Sequence, residues 1–239
     1  MSMGRIMGSL LPELLRLPRD MGRRLTVREI MHIFETCEAL WRHNGDEKMS
    51  HAGLTSGLCS NGFVSVPTVL QYTPLAELFA DQIVRMVREV YAGPVNVVVG
   101  SDHASATLSY AVAVGFRARH DFTEKGEGKT QRWSRLFIRP DEVVLQVEEL
   151  ITTLSTTNAV RTGVRSGTPH GVNFVPLVAT LVDRMNLPGA HEFEGSPIIS
   201  IHRCDDIKTW QPEECPLCAA GSERINAPKQ NWAKLTGAH

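Results

Sequence analysis

The chain has no apolar run approaching the roughly 20 residues that cross a bilayer, so no membrane-spanning helix is expected. It also has almost no net charge, −1 from 25 basic and 26 acidic side chains, and electrostatics make no case for a nucleic-acid or membrane-surface partner. Cysteine is scarce: five residues, odd in number and without framework spacing, fit a reducing cytosol better than a disulfide scaffold. There is no internal repeat and no long low-complexity segment. Residues 1–24 alternate short apolar pieces with Arg, Pro and Gly, with no small-residue cleavage site after a long apolar core. A secretory signal is therefore not expected there, and a weakly amphipathic extension is. What remains is a neutral chain of 239 residues, enough for one catalytic-size domain with decorated ends.

Thr26 followed by Glu29 is a capping-box helix start, and Ile30, Phe34 and Trp41 then recur at helical spacing up to the polar turn at Asn44-Gly45-Asp46. Residues 53–69 are rich in Gly, Ser and Thr and read as a loop with short strands. Pro74 opens a second amphipathic helix carrying Leu78, Ile83, Val87 and Tyr91. The run Val95-Asn96-Val97-Val98-Val99 has the composition of a central parallel strand. Helix 104–115, strand 116–122, strand 143–147, helix 155–165 and strand 175–182 complete the expected order. Such alternation implies a doubly wound α/β sheet. Residues 124–135 break the rhythm with charge and Gly, and read as a mobile excursion or a long hairpin.

The apolar strand ends in two adjacent carboxylates, Glu148 and Glu149, and a hydroxyl-rich turn, Thr152, Thr153, Ser155, Thr156 and Thr157, opens the next helix. Ligands of open α/β sheets bind outside the carboxyl ends of the strands. Acids there suit ribose hydroxyls or a water-bridged metal. The hydroxyls and free N–H groups of the turn suit a phosphate, or equally cap the helix. A second turn, Gly100-Ser101-Asp102-His103, follows the first parallel strand. Asp102 and His103 read either as an acid/base or metal-facing pair or as a space-filling polar turn.

The stretch 143–157 resembles the phosphoribosyl-diphosphate motif of type I phosphoribosyltransferases: two acids, two apolar residues, then Thr-Thr-Gly-Gly-Ser/Thr. Leu154 and Ser155 stand at the two glycine positions, where glycine permits positive φ and close backbone approach to phosphate. The Gly100 turn resembles the diphosphate-binding turn of the same enzymes. His51 to Phe63 is similar to the "LTSGLHSDGY" segment of orotate phosphoribosyltransferases, and Phe122 to Arg135 to their catalytic loop. Leu181-Val182-Asp183-Arg184 resembles a Leu-x-Asp-Arg strand end, and Trp210 to Cys218 a "W-x-P-E-x-C-P-L-C" near the carboxyl terminus. The matches run in one order from about Thr26 to Ala220.

The resemblance implies a mainly parallel central sheet flanked by helices, a small N-terminal hood and a flexible loop. It divides the chain into an extension (1–25), a phosphoribosyltransferase-like domain (26–220) and a tail (221–239). It implies transfer of a phosphoribosyl group to orotate, with Mg²⁺ as cofactor, in a cytoplasmic homodimer acting on small molecules. Glu148 and Glu149 would hold the ribose hydroxyls, Thr152 with Arg184 the orotate, and Thr153, Ser155, Thr156 and Thr157 the 5′-phosphate. Gly100, Asp102 and His103 form the diphosphate turn. Lys125, with Lys129, Arg132 and Arg135, would supply cations from a loop acting across the dimer interface. Thr55, Ser56 and Phe63 belong to the substrate-facing hood. An ion pair of Arg184 with Asp183 or Glu192 is the structural alternative for that residue. Direct protein ligation of a metal is not expected. Cys215-Pro216-Leu217-Cys218 can be half of a zinc site, with His202 and Cys204 as conceivable partners, or a redox pair, but the family match favours a structural tail. Against the transferase stand a non-catalytic nucleotide-binding descendant and an enzyme for another base or nucleotide.

Overall fold

A computed structural model describes residues 10–128, 130–185 and 191–237. The capping box at Thr26 forms as expected: its hydroxyl accepts from the Glu29 N–H, and the Glu29 carboxylate accepts from the Thr26 N–H. Such a cap contributes about 1 kcal/mol. The helix it starts, Val27–Thr36, is shorter than the spacing of Trp41 suggests. Glu38 takes a left-handed φ of 52°, and the Ala39 N–H donates back to the Phe34 carbonyl. That closure ends the helix and sends Trp41 into a strand.

The next four strands build the hood: β1 (Leu40–Arg42), β2 (His51–Gly53), β3 (Cys59–Ser60) and β4 (Gly62–Val64). The helix Thr73–Val90, opened by Pro74, leads to β5 (Val97–Gly100), the helix Ala104–Phe116 and β6 (Arg119–Phe122). Two short strands, β7 (Glu124–Lys125) and β8 (Gln131–Arg132), pair antiparallel, so the excursion is a hairpin. Then come β9 (Val143–Ile151), the helix Ser155–Ser166, β10 (Asn173–Asp183), β11 (Glu192–Phe193), β12 (Ser196–Arg203), β13 (Thr209–Trp210) and β14 (Arg224–Asn226).

The central sheet has six strands in the order β11-β12-β10-β9-β5-β6, parallel except for the edge strand β11. Its middle strands are covered on both faces, which is why Val97, Val98 and Val99 are all fully buried. The helices Thr73–Val90 and Ala104–Phe116 pack together over one face through Leu78, Phe79, Ile83 and Leu108. The helix Ser155–Ser166 packs on the other with Val160 and Val164. Each such side chain contributes about 1.5–3 kcal/mol of burial. A separate four-stranded sheet, β13-β3-β2-β14, carries the hood.

The described segments nearest each terminus are tied in. Leu14, Leu17, Met21 and Leu25 lie in the main core, and β14 pairs parallel with β2. No helix among the described residues is long and apolar enough to cross a membrane.

Candidate active site at the strand ends

The carboxyl ends of β5, β9 and β10 lie side by side and bring the two turns together. Strand β9 runs through both acids to Ile151 rather than stopping at Val147, because its ladder with β10 continues to Asp183 opposite Ile151. Alternation then turns Gln146 and Glu148 to one face and Glu149 to the other. Glu148 is 2% exposed and accepts from Ser101 Oγ (3.1 Å), Ser105 Oγ (3.1 Å) and Gln146 Nε2 (3.0 Å). Burial, then the neighbouring Glu149, pushes its carboxyl up to about 7. It is an interior acid that ties the diphosphate turn to β9. Of the expected ribose-binding pair, Glu149 is the one left open, since it is only half-buried. Burial and the nearby Asp102 carboxylate both raise its pKa.

Gly100 ends β5 directly beneath the next helix. A Cβ there would stand 2.6 Å from Ser109 Oγ and 2.8 Å from the Ser105 carbonyl, so close packing rather than φ demands glycine. His103 carries the turn's unusual backbone, φ 62° and ψ −122°, a conformation normally left to glycine. Its ring lies 3.3 Å from Asp102 Oδ2, and Lys125 Nζ lies 3.5 Å from the same oxygen.

Lys125 therefore reaches the Gly100–His103 turn of its own chain, where the resemblance implied a loop acting across a dimer interface. The reason is the docking of the hairpin. Trp133 is buried against Val160 and Val164, and Gly163 brings its helix so close that a Cβ would meet the Gln131 carbonyl oxygen at 2.4 Å. Arg132 is exposed, Arg135 is turned away into an ion pair with Glu124, and Lys129 lies outside the described residues.

The turn of residues 152–157 does without glycine. Leu154 has φ −78° and ψ 6°, an ordinary right-handed conformation, and it packs on Ile151, Met185 and Phe193. Thr153 and Ser155 hydroxyls bond each other at 2.9 Å, and no side chain caps the following helix. Among the described residues the first N–H groups of Ser155–Ser166 thus have neither an intrahelical nor a side-chain acceptor, which is the condition for anion binding. Thr156 is exposed beside them and Thr157 is buried.

At the end of β10 the Arg184 N–H donates to the Ile151 carbonyl at 2.8 Å, which sets Arg184 beside Thr152. Its Nε and Nη1 are buried and have no hydrogen-bond partner among the described residues. The alternative ion pair with Asp183 does not form, because Asp183 accepts from His191 and from the Met185 N–H. No ion pair with Glu192 is present among the described residues either. A buried guanidinium with idle donors calls for a planar acceptor such as a carboxylate.

The chain is 32% identical over 197 residues to the orotate phosphoribosyltransferase of Heliobacterium modesticaldum, covering 82% of this chain and 95% of that protein. This chain belongs to the orotate phosphoribosyltransferase family. The orotate phosphoribosyltransferase of Carboxydothermus hydrogenoformans is 30% identical over 173 residues, 72% of this chain and 85% of that one. Among solved structures, the orotate phosphoribosyltransferase from Aeropyrum pernix superposes with a TM-score of 0.54 at 17% identity, over 73% of this chain and 93% of that one, a likeness of fold. No family model matches the chain.

Within this family's fold the hood residues divide. Thr55 and Ser56 are exposed at the tip of the β2–β3 hairpin, whereas Phe63 packs against Trp232 with ring centroids 6.4 Å apart. Phe63 is thus a hood-core residue rather than one of the strand-end group. The sequence alone assigns no role to Ser101, Ser105, Gln146 or Arg161. Arg161 is buried between the rings of Phe174 and Phe193, donates to Gln146 Oε1 at 3.3 Å, and pairs with Glu194 at 3.2 Å. A glutamine inside an otherwise apolar strand was the available signal. His202 and Cys204 do not join Cys215 and Cys218; His51 and Cys59 do.

The residues fit Mg²⁺ in a limited way. Glu149 and Asp102 offer hard oxygen donors close enough to repel each other, which a divalent cation relieves. Two carboxylates are too few for a protein cage, so such an ion would be shared with substrate oxygens.

Proposed function

We infer that the protein transfers the phosphoribosyl group of phosphoribosyl diphosphate to orotate, releasing diphosphate. The observation that carries this reading is Arg184, whose buried Nε and Nη1 stand without an acceptor beside Thr152. The orotate carboxylate supplies that acceptor, with the Thr152 hydroxyl toward the ring. Glu149 holds the ribose hydroxyls, and the N–H groups opening Ser155–Ser166, with Ser155 and Thr156, hold the 5′-phosphate. A bond forms between ribose C1 and the ring nitrogen as the bond from C1 to the diphosphate oxygen breaks. Lys125 supplies positive charge where the departing diphosphate gains negative charge. Bound Mg²⁺ would neutralise more of that charge, held by Glu149 and Asp102 through water. Glu148 touches no substrate; it holds Ser101 and Ser105 and so the shape of the diphosphate turn. We place the protein in the cytoplasm, which five cysteines without a disulfide suit, and we propose a homodimer on the family resemblance.

The test is loss of the orotate ultraviolet band with phosphoribosyl diphosphate and Mg²⁺. The wild type is expected to consume orotate, and Arg184→Gln to lower kcat/KM for orotate by roughly 100-fold or more, since a charged partner is lost from a buried pair. An intact band with the wild type overturns the reading.

A further inference from the structure

Outside the strand-end site, the hood holds a second cluster. His51 from β2, Cys59 from β3, and Cys215 and Cys218 from the Cys-Pro-Leu-Cys segment point their ligand atoms into one space, all within 4.8 Å of one another. Cys59 Sγ lies 3.7 Å from Cys218 Sγ, while His51 Nε2 lies 3.3 Å from Cys218 Sγ and 3.9 Å from Cys215 Sγ. With Zn–S near 2.3 Å and Zn–N near 2.0–2.1 Å, a tetrahedral ion sets its sulfurs about 3.8 Å apart and sulfur and nitrogen about 3.5 Å apart. These three separations match the edges of such a tetrahedron, and the remaining ones lie within 4.8 Å. His51, Cys59 and Cys215 are buried, and only Cys218 is partly open.

The histidine tautomer is fixed from behind. The Ser222 hydroxyl donates to the Met49 carbonyl at 2.6 Å, so its oxygen accepts from His51 Nδ1–H at 2.9 Å. The proton therefore sits on Nδ1, and the Nε2 lone pair faces the three sulfurs, as a metal-binding imidazole requires. Three sulfurs and an imidazole have little to gain from this arrangement unless a soft cation shares it.

We propose that His51, Cys59, Cys215 and Cys218 bind one structural Zn²⁺, closed to substrate by its four protein ligands. Three thiolates and one neutral imidazole are a donor set that selects Zn²⁺ over the hard Mg²⁺ of the strand-end site. The ion cross-links the hood hairpin to the carboxyl-terminal segment, adding to the short β13–β3 and β14–β2 ladders and to the small apolar cluster of Ala52, Ile225 and Leu235. It sits at the base of the hairpin whose tip carries Thr55 and Ser56, so it stiffens that tip without touching substrate. This departs from the expectation that the protein ligates no metal itself.

The experiment is metal analysis of the full-length protein, purified without chelator, by plasma mass spectrometry. The expected result is one zinc per chain. Replacement by Co²⁺ is expected to give the visible bands of a tetrahedral ion and a thiolate charge-transfer band in the near ultraviolet. Cys59→Ser and Cys218→Ser are expected to lose the zinc, or to fold only with excess Zn²⁺, while Cys204→Ala keeps it. Chelation is expected to lower Tm and speed proteolysis between the hood and residue 209 onward. Wild-type protein that is folded with no bound metal, binds no Co²⁺ and melts identically with and without Zn²⁺ overturns the proposal. So does a disulfide between Cys59 and Cys218 in freshly purified protein.

Discussion

Glu148 carries the pH dependence of a buried acid, a direction that its neighbour Glu149 shares. Its folded pKa of about 7 lies above the ordinary 4.5, so the folded state prefers the protonated form. Its favourable contribution is complete below the unfolded pKa and is lost as pH rises from about 4.5 through about 7. At pH 8 the buried charge costs up to about 3 kcal/mol. Glu148→Gln removes that titration while keeping an acceptor for Gln146, and serine hydroxyls can turn to accept from its amide. Denaturant melts should find the variant more stable than wild type at pH 8 and no more stable at pH 4. Equal pH profiles for the two proteins would contradict the burial argument. At the phosphate turn, Leu154 sits at φ −78° with its side chain packed, so glycine has nothing to relieve. Leu154→Gly with Ser155→Gly should cost about 2 kcal/mol from lost packing and helix propensity. Calorimetry should find no tighter binding of phosphoribosyl diphosphate. A gain in affinity would mean that Leu154 and Ser155 hinder phosphate binding.

At the scale of elements, the hairpin of β7 and β8 is held by the glycine face of Ser155–Ser166. Gly163→Ala would drive a Cβ to within 2.4 Å of the Gln131 carbonyl oxygen and 2.9 Å of its carbon, both backbone atoms that cannot swing aside. The hairpin must lift, at a cost of about 1–3 kcal/mol. Limited proteolysis within residues 124–135 should speed up, and KM for phosphoribosyl diphosphate should rise as Lys125 leaves Asp102. Unchanged cleavage and KM would mean the hairpin is not docked in solution. Most elements were legible in sequence because their signals are local: the Thr26–Glu29 box, Pro74 at a helix start, the valines of β5. The errors were also local in origin. Trp41 kept helical spacing past a helix that Glu38 had already closed, and the two acids were taken for a strand end when pairing with β10 carries β9 on to Ile151. Leu154 stands at a glycine position of the motif, and sequence cannot say which backbone conformation the turn adopts. The resemblance supplied Arg184 and Thr152, but only the structure shows that Asp183 is already engaged by His191, leaving the arginine open.

At the scale of the whole molecule, what sequence could not reach were contacts between distant segments. Cys59 and Cys218 lie 159 positions apart, and no spacing rule links His51 to the Cys-Pro-Leu-Cys segment. The network from Glu148 through Gln146 to Arg161 and Glu194 likewise joins three separate elements. The proposed homodimer belongs to this scale too: sedimentation at micromolar concentration should give twice the chain mass, and a monomer would refute it. Since Lys125 already reaches Asp102 of its own chain, a monomeric variant should keep part of the activity. The central claim, phosphoribosyl transfer to orotate at the ends of β5, β9 and β10, is tested most directly by product stoichiometry. Chromatography of a reaction containing orotate, phosphoribosyl diphosphate and Mg²⁺ should find orotidine monophosphate and diphosphate formed in equal amounts, and neither with Arg184→Gln. Diphosphate released without the nucleotide, or phosphoribosyl diphosphate left intact by the wild-type protein, would contradict the account.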